Sequence, residues 1–295
     1  MTPAWLAADW GTSNLRLWAM GADGSVLDMR ASDRGMGQLS PDAFEGVLAD
    51  LAGDWLDHTT QVIACGMVGS RQGWVEAPYQ TAPCAISPGA MVKAPTSSGL
   101  TVHVIPGIKQ KSPADVMRGE ETQIAGFLAQ NPNWDGVICL PGTHTKWVHV
   151  SADEVVSFQT FMTGEMFALL SGQSVLRHSI APTGWDEDAF QAALDAILSK
   201  PETLAGRLFS IRADQLVNAT DDVTLRARLS GLLIGAEIAA AKPYWLGQRI
   251  AIIGADAISM PYVAALTQQG VVPERADATD MTLGGLRAAR KMLET

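Results

Sequence analysis

Two short turns carry the residue types that bind oxyanions. Gly11-Thr12-Ser13-Asn14 and Gly142-Thr143-His144-Thr145 each follow an apolar run and lead into a cation, Arg16 in the first case and Lys146 in the second. Glycine lets the backbone approach a ligand closely. Successive N–H groups and Thr or Ser hydroxyls then converge on one point, which is how a backbone nest holds phosphate. Asp9, just ahead of the first turn, can hold Mg²⁺ through water, because that ion gives up its hydration shell reluctantly. The two turns lie nearly half the chain apart and read as a weak internal repeat, so together they would clamp a triphosphate from both sides. Other nucleotide and hydrolase motifs are missing: there is no GxxxxGK[ST], no GxGxxG between strand and helix, no HExxH and no GxSxG. Arg34-Gly35-Met36-Gly37 is a glycine pair in the wrong context for any of them.

The elements that must position these residues alternate between strand and helix. Residues 5–27 read as a three-stranded meander around the first turn. Residues 41–57 read as a helix with Ser40 as N-cap and Pro41 at its first position. Residues 61–65 form a short buried strand. Residues 66–111 are rich in Gly, Pro and Ser but keep Trp, Tyr and Val, and are expected to be a binding loop. A helix is predicted over 113–129, capped by Ser112, with Asp115 in its first turn and Glu120 and Glu121 in its middle. Strands follow at 137–140, 146–150 and 155–158, then helices at 186–199, 202–213 and 221–242. A strand at 249–253, a turn at Gly254-Ala255-Asp256 and helices at 257–269 and 282–293 complete the chain. Small residues at Gly126 and at Gly284-Gly285 suit a close helix crossing. The expected architecture is α/β, in two halves that each open with a Gly-Thr hairpin, with domains 1–133 and 134–295 meeting in the polar QNPNWDG stretch.

Composition narrows the partners. Of 295 residues, 47% are apolar and 18% charged, enough for packed cores. The 31 acidic residues against 21 basic ones give a net charge of -10, and no Lys/Arg run offsets it, so nucleic acid is not an expected partner. Cys65, Cys84 and Cys139 are widely spaced, without CxxC or His at ligand spacing, and read as reduced packing residues. The N-terminal residues lack the pattern of a signal peptide, and the apolar run 232–241 is too short to span a bilayer. A cytoplasmic protein with no membrane partner is expected. The 9 tryptophans leave room for a homodimer.

Several segments carry a resemblance. DWGTS, GTHTKW and IIGAD resemble the phosphate-1, phosphate-2 and adenosine elements of the actin/hexokinase/Hsp70 ATPase superfamily. More closely, ADWGTSNLR, GMVGSRQGW, EAPY, DVMRGEETQ and LPGTHTKW are similar to the 2-keto-3-deoxygalactonate kinase family, over nearly the whole chain. The resemblance implies two ribonuclease H-like domains flanking an ATP cleft. It also implies transfer of the γ-phosphate to the 6-hydroxyl of 2-keto-3-deoxy-D-galactonate in galactonate catabolism.

By the same resemblance Asp9 would orient hydrated Mg²⁺. Gly11, Thr12, Ser13 and Asn14 would contact the β- and γ-phosphates, with Gly142, Thr143, His144 and Thr145 closing from the other domain. Gly254 and Ala255 would approach the adenosine, and Arg16 and Lys146 would neutralise charge on the transferring group. The general base is an acid of GEETQ, Glu121 or Glu120, with Asp115 as the alternative. A sugar acid needs a cation for its carboxylate, hydrogen-bond donors and an aromatic wall, and Ser70, Arg71, Gln72 and Trp74 offer all of these. Arg71 is then expected to pair with the carboxylate and Trp74 to line the pocket. Two other readings stay open: an ATP or polyphosphate hydrolase of the same superfamily, and a non-catalytic sugar-acid sensor. The acceptor-like GMVGSRQGW segment weighs against the first, and the presence of Asp9 against the second.

Overall fold

The structure is a computed structural model that describes residues 2–57, 60–86 and 91–294. The chain forms two compact units. The first joins Met1–Asp135 with Val150–Ser157 and Ala278–Thr295, and the second comprises Gly136–His149 and Phe158–Asp277. The expected split into consecutive halves at residue 133 is therefore corrected at the C-terminal end. The C-terminal helix, Ala278–Met292, returns to the first unit because Leu283, Leu286 and Ala289 bury against Trp5, Ala7, Trp18 and Ile63.

In the first unit the meander forms as β1 (Trp5–Trp10), β2 (Leu15–Met20) and β3 (Val26–Ser32). Helix α1 (Phe44–Ala52) starts later than expected: Ala43 N–H bonds the Ser40 carbonyl in a turn, so Ala43 rather than Ser40 is the N-cap. β4 (Gln61–Cys65) lies parallel to β1. Segment 66–111 is built from short strands: β5 (Gln80–Thr81), β6 (Cys84–Ala85), β7 (Val92–Lys93), β8 (Thr101–Val104) and β9 (Ile108–Lys111). The main sheet has the order β3-β2-β1-β4-β8-β7.

Strand alternation sorts its side chains. Leu6, Ala8, Trp10, Val62 and Ala64 face α1, where Trp10, Phe44 and Trp74 pack with ring centroids 5.0 to 6.2 Å apart. Trp5, Ala7, Ile63 and Cys65 face the C-terminal helix. The same alternation puts Asp9 on that second face, beside Cys65.

The helix predicted over 113–129 is shorter. Ser112 and Pro113 form the two-residue turn of a hairpin, and Ala114–Met117 is strand β10, paired antiparallel with β9. Asp115 therefore sits opposite Gln110 in a strand and is not in a helix first turn. Helix α2 runs from Glu120 to Gln130, so Glu120 and Glu121 occupy its first turn rather than its middle. The expected close crossing is present. An added Cβ on Gly126 would strike the Met281 carbonyl, and one on Gly285 the Thr122 carbonyl, so α2 and the C-terminal helix touch backbone to backbone.

The second unit's sheet holds β11 (Gly136–Leu140), β12 (Thr145–Ser151) and β13 (Glu154–Phe161). The tip of the β12–β13 hairpin is grouped with the first unit, where β6 pairs with Glu154 and Val155. Helices α3 (Thr163–Gly172), α4 (Glu187–Leu198), α5 (Leu204–Asn218) and α6 (Asp222–Ala240) follow, then α7 (Lys242–Trp245), β14 (Ile250–Ile253), α8 (Asp256–Gln268) and β15 (Glu274–Ala276). β14 pairs parallel with both β11 and β15. Helix α6 is buried almost all round, as its apolar run implies, among Val137, Phe190, Leu194 and Ile252. No helix among the described residues is long and apolar enough to cross a membrane.

Candidate active site

In the first unit, the turn Gly11–Asn14 closes with the Gly11 N–H donating to the Asn14 carbonyl at 2.9 Å, and Thr12, Ser13 and Asn14 are exposed. Arg34-Gly35-Met36-Gly37, set aside on sequence grounds, supports this turn. Met36 N–H bonds the Gly11 carbonyl and Gly37 N–H the Thr12 carbonyl, at 3.0 and 2.9 Å. Gly35 lies so close that a Cβ would collide with the backbone of Thr12, Ser13 and Asn14. The signal was a Gly-x-Gly spacing whose partner, the turn itself, is distant in sequence.

Asp9 follows from the β1–β2 register. Arg16 Nη2 donates to its Oδ2 at 2.6 Å, and Arg16 Nη1 donates to Thr279 Oγ1 at 2.9 Å. The other carboxylate oxygen faces the Cys65 thiol at 3.8 Å. Burial raises the Cys65 thiol pKa, and the charges of Asp9 and Glu121 raise it further, so this cysteine stays neutral.

Two glycines let these groups converge. Gly66, after β4, has φ +91°, and a Cβ there would lie 2.8 Å from the Trp10 carbonyl oxygen and 3.4 Å from Asp9 Oδ1. Gly119, the N-cap of α2, has φ +109°, with the Gly66 Cα 3.5 Å from where its Cβ would stand. Left-handed backbone and close approach both demand glycine here.

Glu121 is 6% exposed. Its Oε2 accepts from Gly119 N–H at 2.7 Å and its Oε1 from Thr122 Oγ1 at 3.1 Å. Burial pushes its pKa up to about 8, and the neighbouring Glu120 charge adds to the rise, outweighing the hydrogen bonds that favour the anion. Glu120 is half-buried, and its Oε2 accepts from Arg118 N–H at 3.0 Å. Asp115, on β10, accepts from the Val116 N–H.

The acceptor-like segment divides. Ser70 is buried, and its Oγ has no hydrogen-bond partner among the described residues. Arg71 is exposed, its side chain at 80%, and pairs with Glu76 at 3.6 Å; Gln72 is also exposed. Trp74 belongs to the core, where it packs with Trp10 and Phe44 and donates to the Pro95 carbonyl, so the expected pocket wall is corrected to a structural role. The buried cation in this region is Arg118, which the sequence reading passed over. It is 9% exposed and lies over the Tyr79 ring at 4.2 Å, with Nη2 donating to the Ala77 carbonyl at 2.8 Å.

In the second unit, Thr143 and His144 are exposed on the turn, while Thr145 and Lys146 are buried in β12. Lys146 is thus enclosed rather than presented at the turn's surface. The N-terminus of α3 supports this turn. Glu165 N–H bonds the Thr143 carbonyl at 2.9 Å, Glu165 Oε2 meets His144 Nε2 at 2.6 Å, and a Cβ on Gly164 would strike the Gly142 carbonyl. The missed helix α3 thus brings an amide-rich end to a phosphate-type turn, which favours negative charge there.

Behind the turn lies a buried network. Glu237 on α6 accepts from Trp147 Nε1 and from the Tyr262 hydroxyl, each at 2.8 Å, and Tyr262 Oη lies 2.9 Å from Thr145 Oγ1. Burial raises the Glu237 pKa to about 7 against the hydrogen bonds from Thr163, Trp147 and Tyr262.

A cavity of about 430 Å³ is lined by Gly142, Thr163, Trp185, Arg226, Ile258 and Tyr262, among others. Its mix of apolar walls and a few convergent polar groups suits a heteroaromatic ligand. Gly254 borders a separate hollow of about 290 Å³ with Asp256, Ser259 and Arg275, while Ala255 is the exposed N-cap of α8. Ala257 and Ile258, one turn further on, reach the larger cavity.

The family model described as 2-keto-3-deoxy-galactonokinase matches residues 9–289. A Rhizobium meliloti protein named as a probable 2-dehydro-3-deoxygalactonokinase is 37% identical, over 97% of this chain and 96% of its own. The Escherichia coli 2-dehydro-3-deoxygalactonokinase is 36% identical over 92% of this chain and 91% of its own. The crystal structure of a candidate 2-dehydro-3-deoxygalactonokinase from Sinorhizobium meliloti superposes with a TM-score of 0.92 at 37% identity, covering 98% and 99% of the two chains. The Clostridium difficile activator of 2-hydroxyisocaproyl-CoA dehydratase, at 11% identity and a TM-score of 0.54 over 98% and 96% of the chains, shares the fold alone.

Proposed function

This chain belongs to the 2-keto-3-deoxy-galactonokinase family, and from that premise we propose that it transfers the γ-phosphate of ATP to the 6-hydroxyl of 2-keto-3-deoxygalactonate. The observation that carries the chemistry is Glu121, a buried carboxylate at the start of α2 whose charge, like that of Asp9, acts on the Cys65 thiol. Its raised pKa makes it a stronger base than an exposed glutamate. As the substrate hydroxyl oxygen bonds to the γ-phosphorus and the bond to ADP breaks, Glu121 takes the hydroxyl proton. Glu120 keeps the local charge negative, and Asp115 takes no part.

Phosphate binding is assigned to the two turns. Gly11, Thr12, Ser13 and Asn14 offer backbone and hydroxyl donors in the first unit, and Gly142, Thr143 and His144 in the second. Thr145 orients the second turn through Tyr262. The larger cavity takes the adenine, its wall formed by Trp185 and Ile258, and the Gly254–Ala255 turn sets the start of α8 that delivers Ile258 there.

The residues fit a hydrated Mg²⁺: Asp9 keeps one carboxylate oxygen clear of Arg16, and a water-mediated contact asks for no further protein ligand. When bound with the nucleotide, that ion supplies charge neutralisation at the phosphates. Arg16 holds Asp9 in place and adds positive charge beside the first turn. The free thiols Cys65, Cys84 and Cys139 suit a cytoplasmic enzyme that draws on the ATP pool.

ADP release from MgATP tests the assignment. Turnover should require 2-keto-3-deoxygalactonate and be slower with the gluconate epimer. Equal release without any sugar acid would show a hydrolase instead.

A further inference from the structure

Arg118 presents a buried charge that has no ion-pair partner among the described residues. Of its three guanidinium nitrogens, Nη2 reaches the Ala77 carbonyl, while Nε and Nη1 find no hydrogen-bond partner among the described residues. Such a group is strongly disfavoured unless something completes it, because a cation taken out of water loses its hydration without compensation. Stacking on Tyr79 holds the guanidinium plane without using its N–H groups. The backbone at Gly69 comes close to it: a Cβ there would lie 2.8 Å from Nη1, so the glycine is what lets the guanidinium reach this stretch of chain. The next residue is Ser70, whose buried Oγ is also unpartnered. Two orphaned polar side chains, a guanidinium and a hydroxyl, thus flank one glycine. Both are donors, and the ligand that satisfies donors of this kind is an oxyanion.

We propose that Arg118 and Ser70 bind the carboxylate of the sugar acid, in the place that sequence reasoning gave to the exposed Arg71. The inference rests on the kinase reading and adds its specificity determinant. Arg118 stands three positions before Glu121, and their backbone neighbours are tied together by the Arg118 and Gly119 N–H bonds to Glu120 and Glu121. The carboxylate end of the substrate is therefore fixed by the same stretch of chain that carries the base for its hydroxyl end. A neutral sugar of the same shape leaves the guanidinium and the hydroxyl unpaired, and is rejected for that reason.

The test is a comparison of acceptors, 2-keto-3-deoxygalactonate against its C1 carboxamide, in the wild type and in Arg118→Met, Arg118→Lys, Ser70→Ala and Arg71→Ala. The wild type should prefer the acid in kcat/KM by roughly 10²-fold or more, the scale expected when buried donors are left unpaired. Arg118→Met should raise the KM for the acid by about the same factor and erase the preference, with the KM for ATP unchanged. Arg118→Lys should restore part of the preference, and Ser70→Ala should weaken it by about tenfold. A merely structural arginine would lower activity on both acceptors equally, which overturns the proposal. A rise in acid KM in Arg71→Ala, with Arg118→Lys folded and normal, overturns it too. Wild-type protein with no acid-dependent turnover at all would instead sink the kinase reading.

Discussion

Each unit buries one glutamate beside its phosphate-type turn, yet the two are held in opposite ways. Glu237 is bound by Trp147 on β12 and Tyr262 on α8, partners far away in sequence, and its network ends on Thr145 of the second turn. Among the described residues, Glu121 accepts from Gly119, from Thr122 and from its own backbone N–H, all adjacent in the chain. Both carboxylates are pushed well above the usual range by burial. A group that ties distant elements together cannot move or change charge without disturbing them, so Glu237 is a positioning residue. A group whose bonds are local can exchange a proton at little structural expense, and that is the requirement for a base.

Substitutions can break this contrast. The largest effect expected is on catalysis: Glu121→Gln should lower kcat by roughly 10²- to 10⁴-fold while leaving the KM for ATP nearly unchanged and raising, not lowering, the thermal midpoint at neutral pH. Steady-state kinetics and thermal denaturation of one preparation check both halves of that statement. Glu237→Ala should do the reverse. It strands the Trp147 and Tyr262 donors and opens a cavity, for a loss of about 3 to 5 kcal/mol in denaturant unfolding, with the KM for ATP raised through Thr145.

The pH dependence of stability is a smaller and sharper probe. A carboxylate whose folded pKa lies above its unfolded value holds its proton in the native state over a range where the unfolded chain has lost it. Stability then falls as pH rises through that range. The range runs from the ordinary glutamate value of 4.5 to about 7 for Glu237 and to about 8 for Glu121. Unfolding measured from pH 4.5 to 8 should therefore lose stability with rising pH in the wild type. Glu237→Gln should flatten the lower part of the slope, and Glu121→Gln should remove the remainder above pH 7.

The least severe changes separate the supports of the two turns. Gly35→Ala drives a methyl into the backbone of the first turn and Gly164→Ala into that of the second. Each should cost about 1 to 3 kcal/mol and raise the KM for ATP, as overpacking against backbone does. If either variant leaves both quantities unchanged, the close packing described for that turn is not what holds it.

The turns themselves were legible because their donors are contiguous in sequence and flanked by apolar strands. Asp9, Arg16 and the meander came with them, since a tight hairpin fixes its own register. What supports the turns was not legible. Gly35 and Gly37 act on a turn more than twenty positions away, and Glu237 meets Trp147 and Tyr262 only through the packing of α6. The helix expected at Pro113 failed because the Ser112–Pro113 pair also suits a hairpin, and strand pairing with β9 decided between them. Arg71 stands out in the sequence because its polar loop reads as exposed and available, whereas nothing local marks Arg118. Burial, which no local pattern reported, gave the unpaired guanidinium to the other arginine. The return of the C-terminal helix to the first unit was hidden for the same reason, since its apolar stripe does not name the sheet it covers.

The most direct test of the central assignment is the pH profile of sugar-acid-dependent ADP release in the wild type and in Glu121→Gln. With Glu121 as the base, wild-type kcat/KM should climb with pH to a plateau, with a midpoint near 8, the value set by burial. The Gln variant should show a low rate without that limb. A Glu121→Gln enzyme that keeps the wild-type rate and the same limb would contradict the account, and the proton would then have to leave through another group.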